Sequence, residues 1–160
     1  VSDGVEIARI GEEFGRWNEL LAMIRASFAY MDGVIDPPSS VHRLTPELLA
    51  AKAEAETGFV ALAAGEIAGC AFLAEQPDHF YLGKLAVAPA WQGRGVGALL
   101  MRAAERHALM AGKPVIELQT RVELAGNQRL FARLGFAETG RSAHAGFERP
   151  TSVTMRKEIA

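Results

Sequence analysis

Val5 and Ile7 alternate with polar neighbours up to Arg9, after which Phe14, Trp17, Leu20, Leu21, Ile24 and Phe28 recur at helical spacing. The pattern predicts a short first strand and then a helix of about four turns. From Met31 to Ser40 no period survives: Gly33 permits a turn, Pro38 fixes its own backbone and Pro37 is restricted by the proline after it. That stretch reads as a long loop. Thr45-Pro46 then supplies an N-cap and a first-turn proline for a second helix through about Glu56.

Phe59 to Ala63 and Ile67 to Glu75 read as strands joined at Ala64-Gly65-Glu66, and His79 to Val87 as a third after the Gln76-Pro77-Asp78 turn. Together they predict an antiparallel meander. Val96, Leu99, Leu100, Ala103, Ala104 and His107 mark one face of a long helix that stops near Gly112, with His107 expected at its solvent edge. A strand from Val115 to Thr120 follows, and strand, helix, strand in that order predicts a parallel pair. A shorter helix from Asn127 to Leu134 ends at Gly135, and strands from Phe136 to about Ser142 and from Ser152 to Lys157 close the chain. The expected fold is α/β of the α+β kind: one domain over residues 1–160, with a mixed, largely antiparallel sheet of about seven strands and helices on both faces.

Composition narrows the partners. With 49% apolar and 22% charged residues in a chain of 160, the sequence is that of one self-sufficient core. A formal charge of −2 without a Lys/Arg run offers nothing to draw in nucleic acid. No apolar stretch reaches the ~18 residues of a membrane span, and there is no basic segment leading into an apolar run, so a cytoplasmic protein is expected. Cys70 is the one cysteine and lies among apolar residues, which predicts a packed thiol in a reducing compartment. His42, His79, His107 and His144 lack the paired spacing of a metal motif, so no metal is expected.

Chemistry concentrates in Gln92-Gly93-Arg94-Gly95-Val96-Gly97-Ala98, between the third meander strand and the long helix. Glycines let an anion approach backbone N–H groups, a helix N-terminus adds unpaired donors and about half a positive charge, and Arg94 adds a planar cation. A pyrophosphate is the ligand this predicts. Gly93-x-Gly95-x-x-Ala98 also satisfies a loose dinucleotide fingerprint, with Glu117 as the ribose acid. Against a dinucleotide stand the five residues Ala88 to Gln92 between strand and fingerprint, the apolar strand around Glu117 and the antiparallel meander upstream. An ATP-type P-loop is excluded because no Gly-Lys-Ser/Thr follows.

Val87-x-Pro89-x-x-Gln92-x-x-Gly95-x-Gly97 and the later Asn127 to Gly135-Phe136 segment resemble the two cofactor motifs of the GNAT superfamily of N-acetyltransferases, and the order of elements resembles that family over nearly the whole chain. The resemblance implies acetyl-CoA as cofactor and direct transfer of its acetyl group to a primary amine of a small molecule, amino acid or peptide. It implies that main-chain groups of Leu85, Ala86 and Val87 pair with the pantetheine arm, that one N–H there polarises the thioester carbonyl, and that Gln92 to Ala98 hold the pyrophosphate. Asn127 is read as the N-cap of its helix, as a contact to the arm, or as both, and Phe131, on the same helix face, points towards the sulfur. Such domains often pair, so a homodimer is among the expected states.

The departures from the family pattern lie at the proton-transfer positions. Phe131 stands where the family commonly places a tyrosine acid, and Lys84 and Gln119 stand where relatives often carry a glutamate. Asp32 and Asp36 in the early loop, Glu75 at the meander's end and His144 before Gly146 are the candidates for the base. Two other functions compete with acetyl transfer: a CoA-binding module without catalysis, suggested by the absent tyrosine, and a nicotinamide oxidoreductase, suggested by the glycine match alone.

Overall fold

The chain, described here as a computed structural model over residues 4–159, builds one seven-stranded sheet in the order β1-β2-β3-β4-β5-β7-β6. The strands are β1 (Val5–Arg9), β2 (Thr57–Ala63), β3 (Glu66–Glu75), β4 (Phe80–Val87), β5 (Val115–Arg121), β6 (Ala137–Ser142) and β7 (Ser152–Glu158). The helices are α1 (Trp17–Phe28), α2 (Pro46–Ala55), α3 (Val96–Met110) and α4 (Ala125–Arg133). All pairs are antiparallel except β4 with β5, as the strand-helix-strand order requires. The expected meander is β2-β3-β4.

Local chemistry sets the boundaries. Thr45 Oγ1 accepts from Leu48 N at 3.1 Å and Pro46 opens α2, so the cap read from Thr45-Pro46 is the one formed. α1 begins at Trp17, and Phe14 stays outside it, edge-on to the Trp17 ring at 4.8 Å. The early loop carries single 3-10 turns at its ends, Ala29–Met31 and Ser40–Arg43, and is irregular between them. α4 starts at Ala125, two residues before Asn127, with no side-chain cap. Asn127 is therefore an interior residue of the first turn, and the N-cap alternative is corrected.

Two apolar layers sandwich the sheet. On one face Val96, Leu100, Met101, Ala104 and Ala108 of α3 pack on Phe80, Leu82, Ile116 and Leu118; on the other Leu20, Leu21, Ile24 and Leu49 of α1 and α2 pack on Val60, Cys70 and Phe72. His107 is half-buried, edge-on to Phe59 and Phe80, with Nε2 3.3 Å from Thr57 Oγ1. Its solvent-edge placement is thus corrected: the imidazole is long enough to reach back over β2. Cys70 is buried and its thiol donates to Lys84 O at 3.3 Å, with burial pushing its pKa up to about 12.

β4 carries the feature that shapes the site. Its register with β3 runs Phe72↔Gly83 and then Cys70↔Ala86, so Lys84 and Leu85 together oppose Ala71 alone in a β-bulge. Lys84 sits there at φ 54, in the left-handed region that costs a lysine about 1–2 kcal/mol. Gly69 on β3 accommodates the distorted strand, since a Cβ on it would lie 2.7 Å from the Ala86 carbonyl oxygen. Gly69→Ala is expected to lower stability by about 1–3 kcal/mol, read as a shift of the urea midpoint at unchanged m-value. An unchanged midpoint would show that the bulge yields freely.

Candidate active site

β4 and β5 pair only at Phe80↔Ile116 and Tyr81↔Glu117 and then diverge. Beyond Tyr81 the bulge turns β4 away, which leaves a slot between two parallel strands whose main-chain groups face each other without bonding. The direction of those groups follows from peptide planarity. Lys84 O faces the Cys70 thiol, so the Leu85 N–H on the same trans peptide points away from that thiol and from the α1 layer in which it packs. Ala88 N bonds Ala68 O on β3, so Val87 O faces the slot, where Gln92 Nε2 donates to it at 3.1 Å.

This alternation refines the expected trio. Ala86 pairs with Cys70 and its side chain is buried on the α1 face, so it turns away from the slot. Val87 N donates to Ser27 Oγ at 3.3 Å. Leu85 alone has no strand partner on either side, and it lines the cavity.

At the end of β4 the chain turns through Pro89–Trp91 into the glycine loop. Gly93 and Gly95 adopt φ 77 and 84, and a Cβ on either would meet no protein atom within 4 Å, so the space before them is open. Gly95 is the N-cap of α3 and no side chain caps the helix, leaving the N–H groups of Val96, Gly97 and Ala98 to a ligand. A cradle of backbone donors before open space fits a phosphate chain. Arg94 lies outside the cavity lining, its guanidinium stacked 4.9 Å from the Trp91 ring.

Loop and slot open into one cavity of about 1020 Å³. Gln92, Gly93, Gly95, Val96, Gly97 and Ala98 line one end; Asn127 and Phe131 of α4 line a side, with Phe131 also edge-on to Phe136 at 6.0 Å. Asn127 Nδ2 donates to Tyr30 Oη at 3.1 Å. Tyr30 was not among the expected site residues, because nothing in the loop sequence says that its ring reaches α4. Lys84, Gln119 and His144 line the cavity as well.

The carboxylate candidates lie elsewhere. Asp32 Oδ1 pairs with His42 Nε2 at 2.8 Å and Asp36 Oδ2 with Arg149 at 3.2 Å, both outside the lining. Glu75 is the last residue of β3, opposite Phe80 at the start of β4, and holds Lys113 at 2.5 Å. An antiparallel neighbour ends where its partner begins, which puts Glu75 at the wrong end of β4. Asp32, Asp36 and Glu75 are thereby corrected as base candidates, and His144 remains. Its Nδ1 meets Thr151 Oγ1, a side chain fully buried, and burial, then Arg121, hold the imidazole below its ordinary pKa against a smaller opposing effect of Glu123. Arg121 itself donates to Pro37 O at 2.6 Å and Pro38 O at 3.2 Å, which pins the early loop over the cavity.

A bulged β4 splayed from β5, a glycine cradle at the mouth of the slot and α4 along its side define an acyltransferase architecture. The sequence profile of the Acetyltransferase (GNAT) family matches residues 17–136, and the chain belongs to that family. Its fold is similar to that of the PaiA N-acetyltransferase from Thermoplasma acidophilum in complex with coenzyme A, with a TM-score of 0.83, 16% identity and coverage of 97% of this chain and 99% of that one. It is also similar to the ribosomal-protein-S18-alanine N-acetyltransferase from Escherichia coli (TM-score 0.70, 19% identity, coverage 98% and 94%). A third likeness is to a GNAT family acetyltransferase from Elizabethkingia anophelis with acetyl-CoA bound (TM-score 0.69, 18% identity, coverage 98% and 99%). No curated protein sequence matches the chain. Among the described residues no helix is long and apolar enough to cross a membrane, and no group of three or more His, Cys, Asp or Glu is placed to hold a metal ion.

Proposed function

We propose that this chain transfers the acetyl group of acetyl-CoA to a primary amine of a small molecule, amino acid or peptide. The observation that carries the reading is the continuity of one cavity from the uncapped N-terminus of α3, along the slot, to His144. Coenzyme A or acetyl-CoA in the Thermoplasma and Elizabethkingia structures supports the choice of cofactor. When bound, acetyl-CoA supplies an activated carbonyl on a thiol leaving group.

The N–H groups of Val96, Gly97 and Ala98 bind the pyrophosphate, and the Leu85 main chain pairs with the arm as an added strand would. The Leu85 N–H also donates to the carbonyl oxygen as charge develops on it. His144, held in its neutral form, takes one proton from the acceptor ammonium before attack; as the freed amine's nitrogen bonds to carbon and carbon parts from sulfur, the nitrogen sheds a second proton, which balances the one given to the departing thiolate. Phe131 has no proton to give the departing thiolate. Tyr30 does: its oxygen already accepts from Asn127, so its own O–H is free to donate into the cavity.

A purified sample incubated with acetyl-CoA and a broad panel of primary amines is expected to release thiol in proportion to the acetylated product. Tyr30→Phe is expected to lower that rate about tenfold with acetyl-CoA affinity retained, a modest loss because a thiolate leaves tolerably unaided. Tight acetyl-CoA binding with no turnover on any amine would favour the CoA-binding module, the reading that Phe131 supports.

A further inference from the structure

The cavity wall beneath α2 is cationic. Arg43 from the 3-10 turn Ser40–Arg43, Lys52 from α2 and Lys84 from the β4 bulge all line the cavity, and among the described residues no Asp or Glu does. Lys84 Nζ donates to Ser40 Oγ at 2.8 Å, on the same short turn as Arg43, and Lys52 Nζ lies 4.0 Å from the position of a Cβ on Gly83, the residue before Lys84. The three charges therefore share one wall. Lys52 holds Glu56 at 2.8 Å, and among the described residues no carboxylate forms a salt bridge with Arg43 or Lys84. Three cations against one carboxylate leave two positive charges on this wall, in addition to Arg121 elsewhere in the lining.

This wall is not the phosphate cradle. Lys52 lies over the Phe72 ring, 5.7 Å from its centre, and Phe72 packs in the α1/α2 layer, whereas the cradle belongs to α3 on the opposite face. The two meet only through the slot. Lys84 has a left-handed backbone where the slot opens and its ammonium reaches Ser40, a strained conformation of the kind that persists where surroundings over-determine it. Burial, then Lys52, push the Lys84 ammonium below its ordinary pKa against a smaller opposing effect of Glu56.

We propose that the acceptor amine carries an anionic group, a carboxylate or a phosphate, held by Arg43, Lys52 and Lys84. The proposal rests on the acetyl-transfer reading and deepens it by naming the substrate class. Arg43 offers a planar fork that grips either oxyanion, and the lysines are compact charges that suit both. The same field repels a polycationic amine, so selection works against the wrong acceptor as well as for the right one.

The test is calorimetric titration of the full chain saturated with CoA, in low salt, using size-matched pairs: β-alanine against β-alaninamide, phosphoethanolamine against ethanolamine, and putrescine as the cationic probe. An anionic member is expected to bind at least about tenfold tighter than its neutral partner, with a preference that shrinks as salt is added. Whether β-alanine or phosphoethanolamine shows the larger ratio identifies the anion. Arg43→Gln and Lys84→Gln, checked for unchanged thermal unfolding, are each expected to remove most of that ratio. Equal binding within pairs, no binding by any probe, putrescine as the best ligand, or variants that keep the preference would each overturn the proposal. Selective anion binding without thiol release would leave it standing while overturning acetyl transfer. Turnover confined to neutral or cationic amines would do the reverse.

Discussion

Replacing His144 with alanine is expected to lower kcat for amine acetylation about a hundredfold at pH 7, the usual scale for loss of a positioned base. The imidazole is held by Thr151, lines the cavity and is pushed below its ordinary pKa by burial and then by Arg121. The sign of the pH effect follows. A base works in its neutral form, and a lowered pKa keeps that form dominant at neutrality, so wild-type kcat should be level around pH 7 and fall only on the acid side of the ordinary imidazole range. In the alanine variant, proton removal passes to solvent, and kcat should climb with pH where the wild type is level. Profiles of kcat from pH 5 to 9 for both proteins decide the matter. A variant within threefold of wild type, with the same profile, would remove His144 from the chemistry.

The second large effect concerns the cradle. Substituting alanine at both Gly93 and Gly95 is expected to weaken CoA binding about a hundredfold. Each new Cβ meets no protein atom, so the damage is of two other kinds. The positive φ strains each alanine by about 1–2 kcal/mol, and each methyl occupies space that the phosphates need. Gly112 supplies the control: it sits just beyond the C-terminal end of α3 at φ 74 with equally open surroundings, and it is outside the cavity lining. Gly112→Ala should show a comparable strain in thermal unfolding and an unchanged CoA dissociation constant. If the double variant binds CoA as tightly as the control, the loop is only a turn.

The cradle was legible in the sequence because its demands are local. Closely spaced glycines before a helix state a backbone requirement that no tertiary context is needed to read, and Asn127 and Phe131 share a helix face by spacing alone. The strand order was nearly as legible, since a meander followed by a strand-helix-strand unit leaves few alternatives. The acceptor side was not. Asp32 and Glu75 have the right chemistry, yet placement depends on where antiparallel strands begin and end and on which cation pairs first. Arg43, Lys52 and Lys84 carry no shared motif; three separate elements bring them together. Tyr30 reaches Asn127 across 97 residues of sequence. The bulge at Lys84 was equally silent, because an inserted residue leaves no mark in composition.

That inserted residue has a consequence for how β4 divides its labour. Before it, even-numbered side chains Phe80 and Leu82 enter the α3 layer; after it, Leu85 and Val87 do, and Ala86 enters the α1 layer instead. The parity of the strand reverses at Lys84. One strand thus serves both cores in turn, and the place where it changes sides is where its backbone comes free for a ligand. The opening for chemistry is a phase change in an otherwise regular sheet, so the two cores and the slot are tied to the same register.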